Sequence, residues 1–115
     1  MLGRAHRLRS RADFGKIHQR GRAAHGRYIM VKAQLNHKPE SRFGVVVSKK
    51  ISKRAVARNR IHRRIVAILR QSIELNQGWD YVIMAKPAIA EASPEALKQD
   101  IIKTLAQFEG GQSRS

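Results

Sequence analysis

Along residues 27–35, Arg-Tyr-Ile-Met-Val-Lys-Ala-Gln-Leu, side chains alternate in the period-two pattern of a strand. Ile29, Val31, Ala33 and Leu35 fall on the core side, and Tyr28, Met30 and Lys32 on the other. Asn36-His37-Lys38-Pro39-Glu40-Ser41 has turn chemistry. Residues 42–48, Arg-Phe-Gly-Val-Val-Val-Ser, predict a second strand, paired antiparallel with the first across that loop. Its three valines predict burial on both faces, and Gly44 before them marks a bulge or a close backbone approach. The period then becomes helical. Ile61, Ile65, Ile68 and Leu69 stand at i, i+4, i+7 and i+8 and predict a long helix over 56–75. Asn76-Gln77-Gly78 closes it, with Gly78 near the usual stop position. Residues 79–85, Trp-Asp-Tyr-Val-Ile-Met-Ala, predict a third strand, which Pro87 ends.

Two further helices frame these elements. Ser93-Pro94-Glu95 is a helix start with a cap, a proline in first position and an acid in the first turn. Leu97, Ile101, Leu105 and Phe108 give that last helix its apolar stripe, and Trp79 and Phe108 are expected in the core. Near the N-terminus, residues 10–20 predict a short helix, with Ser10 as cap and Asp13 in the capping-box position. Phe14, Ile17 and His18 share one of its faces, and Gly21 ends it. The order is α-β-β-α-β-α, an α+β sandwich with helices packed on a small sheet. No repeat or linker divides the chain. One domain over 1–115 is expected, with a core at about 8–108 and a flexible tail at 109–115.

Charge changes the picture from fold to partner. The 115 residues carry 24 Lys+Arg against 8 Asp+Glu, a formal net charge of +16. Residues 1–70 hold 20 of the basic residues and only two carboxylates, Asp13 and Glu40. Residues 71–115 hold four basic residues and six acidic ones. Such a field attracts a polyanion. Nucleic acid leads, ahead of an anionic membrane surface or an acidic protein. No apolar run approaches the roughly 18 residues of a membrane span, and no apolar segment follows the basic N-terminal residues as in a secretory signal. The 42% hydrophobic content argues against a wholly disordered basic tail. With no cysteine, disulfide scaffolds, zinc ribbons and thiol catalysis are excluded. His6, His18, His25, His37 and His62 have no ligand spacing, so no metal site on the protein is expected. The scattered carboxylates suggest no paired acid–base site.

The basic excess peaks in Ser48-Lys49-Lys50-Ile51-Ser52-Lys53-Arg54-Ala55-Val56-Ala57-Arg58-Asn59-Arg60-Ile61-His62-Arg63-Arg64. At about 100° per residue, Asn59, Arg60, Arg63, Arg64 and Arg70 cluster opposite Ile61, Ile65 and Ile68. Arg58 falls nearer the apolar side, either at the helix start or with its stem snorkelling outward. No carboxylate stands anywhere in 41–73, so intrahelical salt bridges are not the purpose of this face. Planar guanidinium groups match phosphate oxygens and stack on bases. Lys49, Lys50 and Lys53 add charge beside the helix N-terminal amides, which also favour anions.

Arg42-Phe43-Gly44-Val45-Val46-Val47-Ser48-Lys49-Lys50, then Lys53 and Val56-Ala57-Arg58-Asn59-Arg60-Ile61-His62-Arg63, resembles the signature of the protein subunit of bacterial ribonuclease P. Leu8-Arg9, Asp13-Phe14, Arg20-Gly21-Arg22, the strand near Tyr28, Asp80-Tyr81-Val82-Ile83 and Lys86-Pro87 resemble other parts of that family, so the likeness spans about 4–108. It implies an α-β-β-α-β-α fold of the ribosomal protein S5 domain 2-like kind, with a left-handed βαβ crossover. It also implies a non-catalytic protein subunit of a ribonucleoprotein endoribonuclease. Its RNA, with Mg²⁺ held by that RNA, removes the 5′ leader of precursor tRNA. The implied protein is cytoplasmic and monomeric, one to one with the RNA.

Carried over by position, the resemblance implies catalytic-RNA contacts at Lys53, Arg54, Arg58, Asn59, Arg60 and Arg63. It implies leader contacts at Phe14, His18, Tyr28, Lys49 and Lys50, in a cleft between the first helix and the outer face of the sheet. A basic groove with stacking platforms is the physics of single-strand binding. His18 stands where many members have a second aromatic, and His62 where lysine is frequent. The alternatives are a ribosomal-type structural RNA-binding protein without a processing role, and a DNA-binding module reading with residues 56–70. Strands on both sides of that helix count against a helix-turn-helix.

So unbalanced a charge predicts a native state tightened by anions. The thermal midpoint is expected to rise with sulfate at matched ionic strength. A midpoint indifferent to sulfate overturns this expectation.

Overall fold

The computed structural model describes residues 21–36, 41–72 and 78–112. The helix expected over 10–20, with Phe14 and His18, lies outside the described residues. The strands are β1 (Arg22–His25), β2 (Ile29–Leu35), β3 (Arg42–Val46) and β4 (Trp79–Ala85). The helices are α1 (Ala55–Ser72) and α2 (Pro94–Gln112), with a 3₁₀ turn at Pro87–Glu91. Ser93 caps α2 as its sequence predicts, its Oγ accepting the Ala96 N–H at 3.1 Å. The helix runs to Gln112, four residues into the stretch expected as a tail. Once a helix is nucleated, the ordering cost of each further residue is offset by one more backbone hydrogen bond.

The sheet order β1-β2-β4-β3 corrects the expected pairing of the second predicted strand. β3 does not pair with β2. It lies parallel to β4, and β4 sits between them, antiparallel to β2. The physical reason lies in β4, whose residues 79–83 are all buried. A strand buried on both faces belongs in the middle of a sheet. The valine-rich β3 is an edge instead, and Val46 is 38% exposed. The ladder is continuous through Gly44, opposite Val82, so the expected bulge is absent. β1 has no counterpart among the predicted elements. It forms a hairpin with β2 through the turn at 26–28.

Both helices pack on the face presented by Ile29, Val31, Ala33, Phe43, Tyr81 and Ile83. Ile65 and Leu69 of α1, with Leu97, Ile101, Leu105 and Phe108 of α2, complete that core. Trp79 and Phe108 are buried as expected. Phe43 stacks on Tyr81 at 5.2 Å between centroids, and Phe108 meets the Tyr81 edge at 5.8 Å. Leu35, expected inward, is 40% exposed because it ends β2 at the rim of the sheet. Met30, Lys32 and Gln34 line the opposite face, half-buried.

One polar cluster fixes how the strands meet. Asp80, opposite Arg42 in the β3–β4 ladder, takes a two-pronged bond from that guanidinium. Nε reaches Oδ1 at 2.8 Å and Nη2 reaches Oδ2 at 2.5 Å. Asn36 Nδ2 adds a third donor to Oδ1 at 2.9 Å, bringing in the end of β2. Gly78, at φ 83°, turns the chain into β4, and its carbonyl accepts the Asn36 N–H at 2.9 Å. Removing the carboxylate leaves the Arg42 charge in a half-buried site. Asp80→Ala is expected to lower stability by about 2–4 kcal/mol in urea unfolding. A change below about 0.5 kcal/mol, the scale of an exposed pair, would contradict this role.

Candidate nucleic-acid interface

α1 divides as its sequence predicts. Ile65 and Leu69 are buried, and Ile61 and Ile68 pack beside them. Asn59, Arg60, Arg63, Arg64 and Arg70 are exposed on the other side. Val56, 68% exposed, shares that surface with Arg60 and Arg63. The first turn of α1 has no acid, and Arg70 lies in its last turn. Guanidinium groups on successive turns thus form a cationic surface, suited to anions, on one rigid element.

Arg58 is different. Its side chain is half-buried, and Nη1 donates to the Ser52 carbonyl at 2.9 Å. The Arg54 N–H is satisfied by Ser52 Oγ at 3.2 Å, and the Ile51 N–H by the Ser48 carbonyl at 3.0 Å. The lead-in from β3 to α1 is therefore a folded turn tied back to the helix. Lys49, Lys50, Lys53 and Arg54 project from it, all exposed. Arg58 holds this turn in place, a role that helical periodicity does not reveal.

Sheet topology brings the second group of residues alongside. β3 and β4 are parallel, so their C-terminal ends coincide, and antiparallel β2 begins at the same end. Tyr28 precedes β2, Lys86 follows β4, and Lys49 and Lys50 follow β3. The Lys86 N–H donates to the Tyr28 carbonyl at 2.9 Å, holding the two segments together. Tyr28 is half-buried at the rim of the core, and the Arg27 guanidinium lies over its ring, 5.4 Å from the centroid. An aromatic ring flanked by cations suits a stacked base with its phosphate. Crevices outside the carboxyl ends of parallel strands are also where open α/β sheets bind ligands.

Tyr28, Lys49 and Lys50 are therefore gathered at one end of the sheet. Lys53, Arg54, Asn59, Arg60 and Arg63 continue from there along α1. Phe14 and His18 lie outside the described residues. Arg27 and Lys86 join Tyr28 although neither is among the residues expected at the site. The basic residue next to the tyrosine is a sequence signal for the first, and Lys86 becomes legible only with the strand order. Among the described residues, no three His, Asp or Glu side chains come together. Asp80 is engaged by Arg42, and Asp100 by backbone N–H groups. No described helix is long and apolar enough to cross a membrane.

The family model for Ribonuclease P matches residues 2–109. Among curated relatives, the ribonuclease P protein component of a Cyanothece species is 32% identical, over 95% of this chain and 96% of its own. That of Microcystis aeruginosa is 36% identical, over 92% of each. The RNase P protein of Thermotoga maritima superposes with a TM-score of 0.78 at 26% identity, covering 84% of this chain and 92% of its own. A mutant of the Staphylococcus aureus protein gives 0.84 at 25% identity, covering 91% and 89%.

The two kinds of arginine on α1 predict different effects. Arg60→Ala or Arg63→Ala should lower the slope of log affinity against log salt for a folded RNA by about 0.7–0.9 for each phosphate no longer neutralised. Arg58→Ala should also loosen the 48–54 turn and reduce stability by about 1 kcal/mol. An unchanged salt slope in the Arg60 and Arg63 variants would exclude phosphate contacts there.

Proposed function

This chain belongs to the family of ribonuclease P protein components, RNA-binding proteins of tRNA 5′ processing, and from that premise we propose how its two basic surfaces divide the work. The α1 face, with Lys53, Arg54, Asn59, Arg60 and Arg63, binds the catalytic RNA, and Arg58 shapes the turn that feeds it. Tyr28, Lys49 and Lys50, together with Phe14 and His18, hold the single-stranded 5′ leader of precursor tRNA. The chain acts as one RNA-binding domain, one copy to one RNA, in the cytoplasm where precursor tRNA is made.

The observation that carries this reading is the arrangement at the sheet end. One rigid frame joins an arginine surface suited to a folded RNA to an aromatic, lysine-flanked rim suited to a single strand. The ring accepts a base without demanding its identity, and the lysines take the backbone charge. Hydrolysis of the phosphodiester is supplied by Mg²⁺ bound to the RNA. The protein neutralises phosphates and fixes the leader relative to the RNA, so less Mg²⁺ is needed to screen repulsion.

Cleavage of precursor tRNA by the catalytic RNA, titrated with Mg²⁺ with and without the protein, tests this. The protein should lower the Mg²⁺ requirement. Tyr28→Ala should weaken leader-bearing substrate by about 1–3 kcal/mol and leave mature tRNA unaffected. No effect of the protein on cleavage sinks the proposal, and an equal weakening for mature tRNA removes Tyr28 from the leader site.

A further inference from the structure

The turn that presents Tyr28 is gripped from α2. Asp100 Oδ1 accepts the Arg27 N–H at 2.8 Å, and Oδ2 accepts the Tyr28 N–H at 2.8 Å. One carboxylate thus satisfies two successive backbone donors, each bond strengthened by its charge. On the other side, the Tyr28 carbonyl accepts the Lys86 N–H, and Lys86 Nζ donates to the Gly26 carbonyl at 2.7 Å. The Gly26 N–H closes the turn onto the Ile29 carbonyl at 2.8 Å. The peptide groups on both sides of Tyr28 are therefore fixed.

The fit is close. A Cβ at Gly26 would stand 2.6 Å from both Asp100 Oδ2 and Thr104 Oγ1. Thr104 Oγ1 in turn donates to the Asp100 carbonyl at 2.7 Å. A glycine in the hairpin turn and an aspartate more than seventy residues later are shaped for each other. The Tyr28 ring lies at the rim of the core with one side under Arg27, so core packing does not immobilise it completely. The backbone that carries the ring is held by Asp100.

We propose that Asp100 is a positioning residue for leader recognition, acting through Tyr28 by clamping the 26–28 turn. The inference rests on the reading of Tyr28 as a leader contact. Asp100 meets no RNA itself. Its carboxylate pre-orders the stacking ring, so binding does not have to fix the turn.

The test is a double-mutant cycle in the holoenzyme reconstituted from the full chain and the catalytic RNA. Asp100→Asn keeps the shape but turns an NH₂ donor toward one of the two N–H groups. It should weaken precursor bearing a leader by about three- to tenfold. Affinities for mature tRNA and for the catalytic RNA should not change, and these also report that the variant is folded. Combined with Tyr28→Ala, it should add nothing to the effect of Tyr28→Ala alone. Asp100→Glu, which keeps both acceptors but displaces them, should fall between Asn and the parent. Equal weakening for all three RNAs means a general structural role and overturns the proposal. Additive effects in the double variant, or no leader effect of Asp100→Asn while Tyr28→Ala has one, also overturn it. If Tyr28→Ala itself leaves leader binding unchanged, the reading of Tyr28 falls first and the proposal with it.

Discussion

The Asp80–Arg42 pair is the constraint on which the rest of the arrangement depends. It ties the second residue of β4 to the first residue of β3, and Asn36 extends the same cluster to the end of β2. A slip of one residue between these strands would turn Tyr81 and Ile83 away from the helices and bring Asp80 and Val82 toward them. A buried ion pair adds little net stability, but leaving half of one is costly, so it suits the task of excluding wrong registers. Once that register is set, the ends of β3 and β4 and the start of β2 coincide. Tyr28, Lys86, Lys49 and Lys50 are neighbours for that reason.

The charge distribution takes on a different meaning in this frame. The described basic residues do not form a diffuse cloud. Those of α1 stand on one helix whose other side is committed to the core. Those of the 48–54 turn are held by Arg58 and Ser52. The acid-richer segment 71–115 contributes to the basic half as well. Two of its carboxylates, Asp80 and Asp100, organise segments of the basic half from within. One fixes the β3 edge, and the other grips the turn at Tyr28. Few acids are present, and these two are committed to internal geometry, which leaves the outward field positive.

Much of this is legible in the sequence. The period of Ile61, Ile65, Ile68 and Leu69 yields α1 and both of its faces. Ser93-Pro94-Glu95 locates the start of α2, and the pattern of 79–85 sets β4 at its observed limits. Pairing is not legible, because hydrophobic alternation says which residues are strands and not which strands are neighbours. Proximity along the chain suggests β2 beside β3. The fully buried run of β4 is the signal for a central strand, and it competes with that default only when the whole sheet is considered. β1 escapes notice because Arg-Ala-Ala-His carries almost no apolar pattern, and only the hairpin makes it a strand. The candidate site is half legible. Arginine types and spacing expose the helix surface. The roles of Arg58, Lys86 and Asp100 depend on bonds made to backbone atoms, which leave no trace in side-chain periodicity.

The position of β4 in the sheet also governs the order in which the molecule can be built. The β1–β2 hairpin and β3 meet only through β4, so no continuous sheet exists until residue 85 has left the ribosome. Nearly all of the positive charge has been synthesised by then. During that interval the apolar side of α1 lacks its sheet, and the basic segments repel one another without Asp80 or Asp100 to place them. The nascent chain is therefore a polycation before it is a fold, emerging beside the ribosome's own RNA. The order of the chain thus puts positive charge before the sheet that organises it.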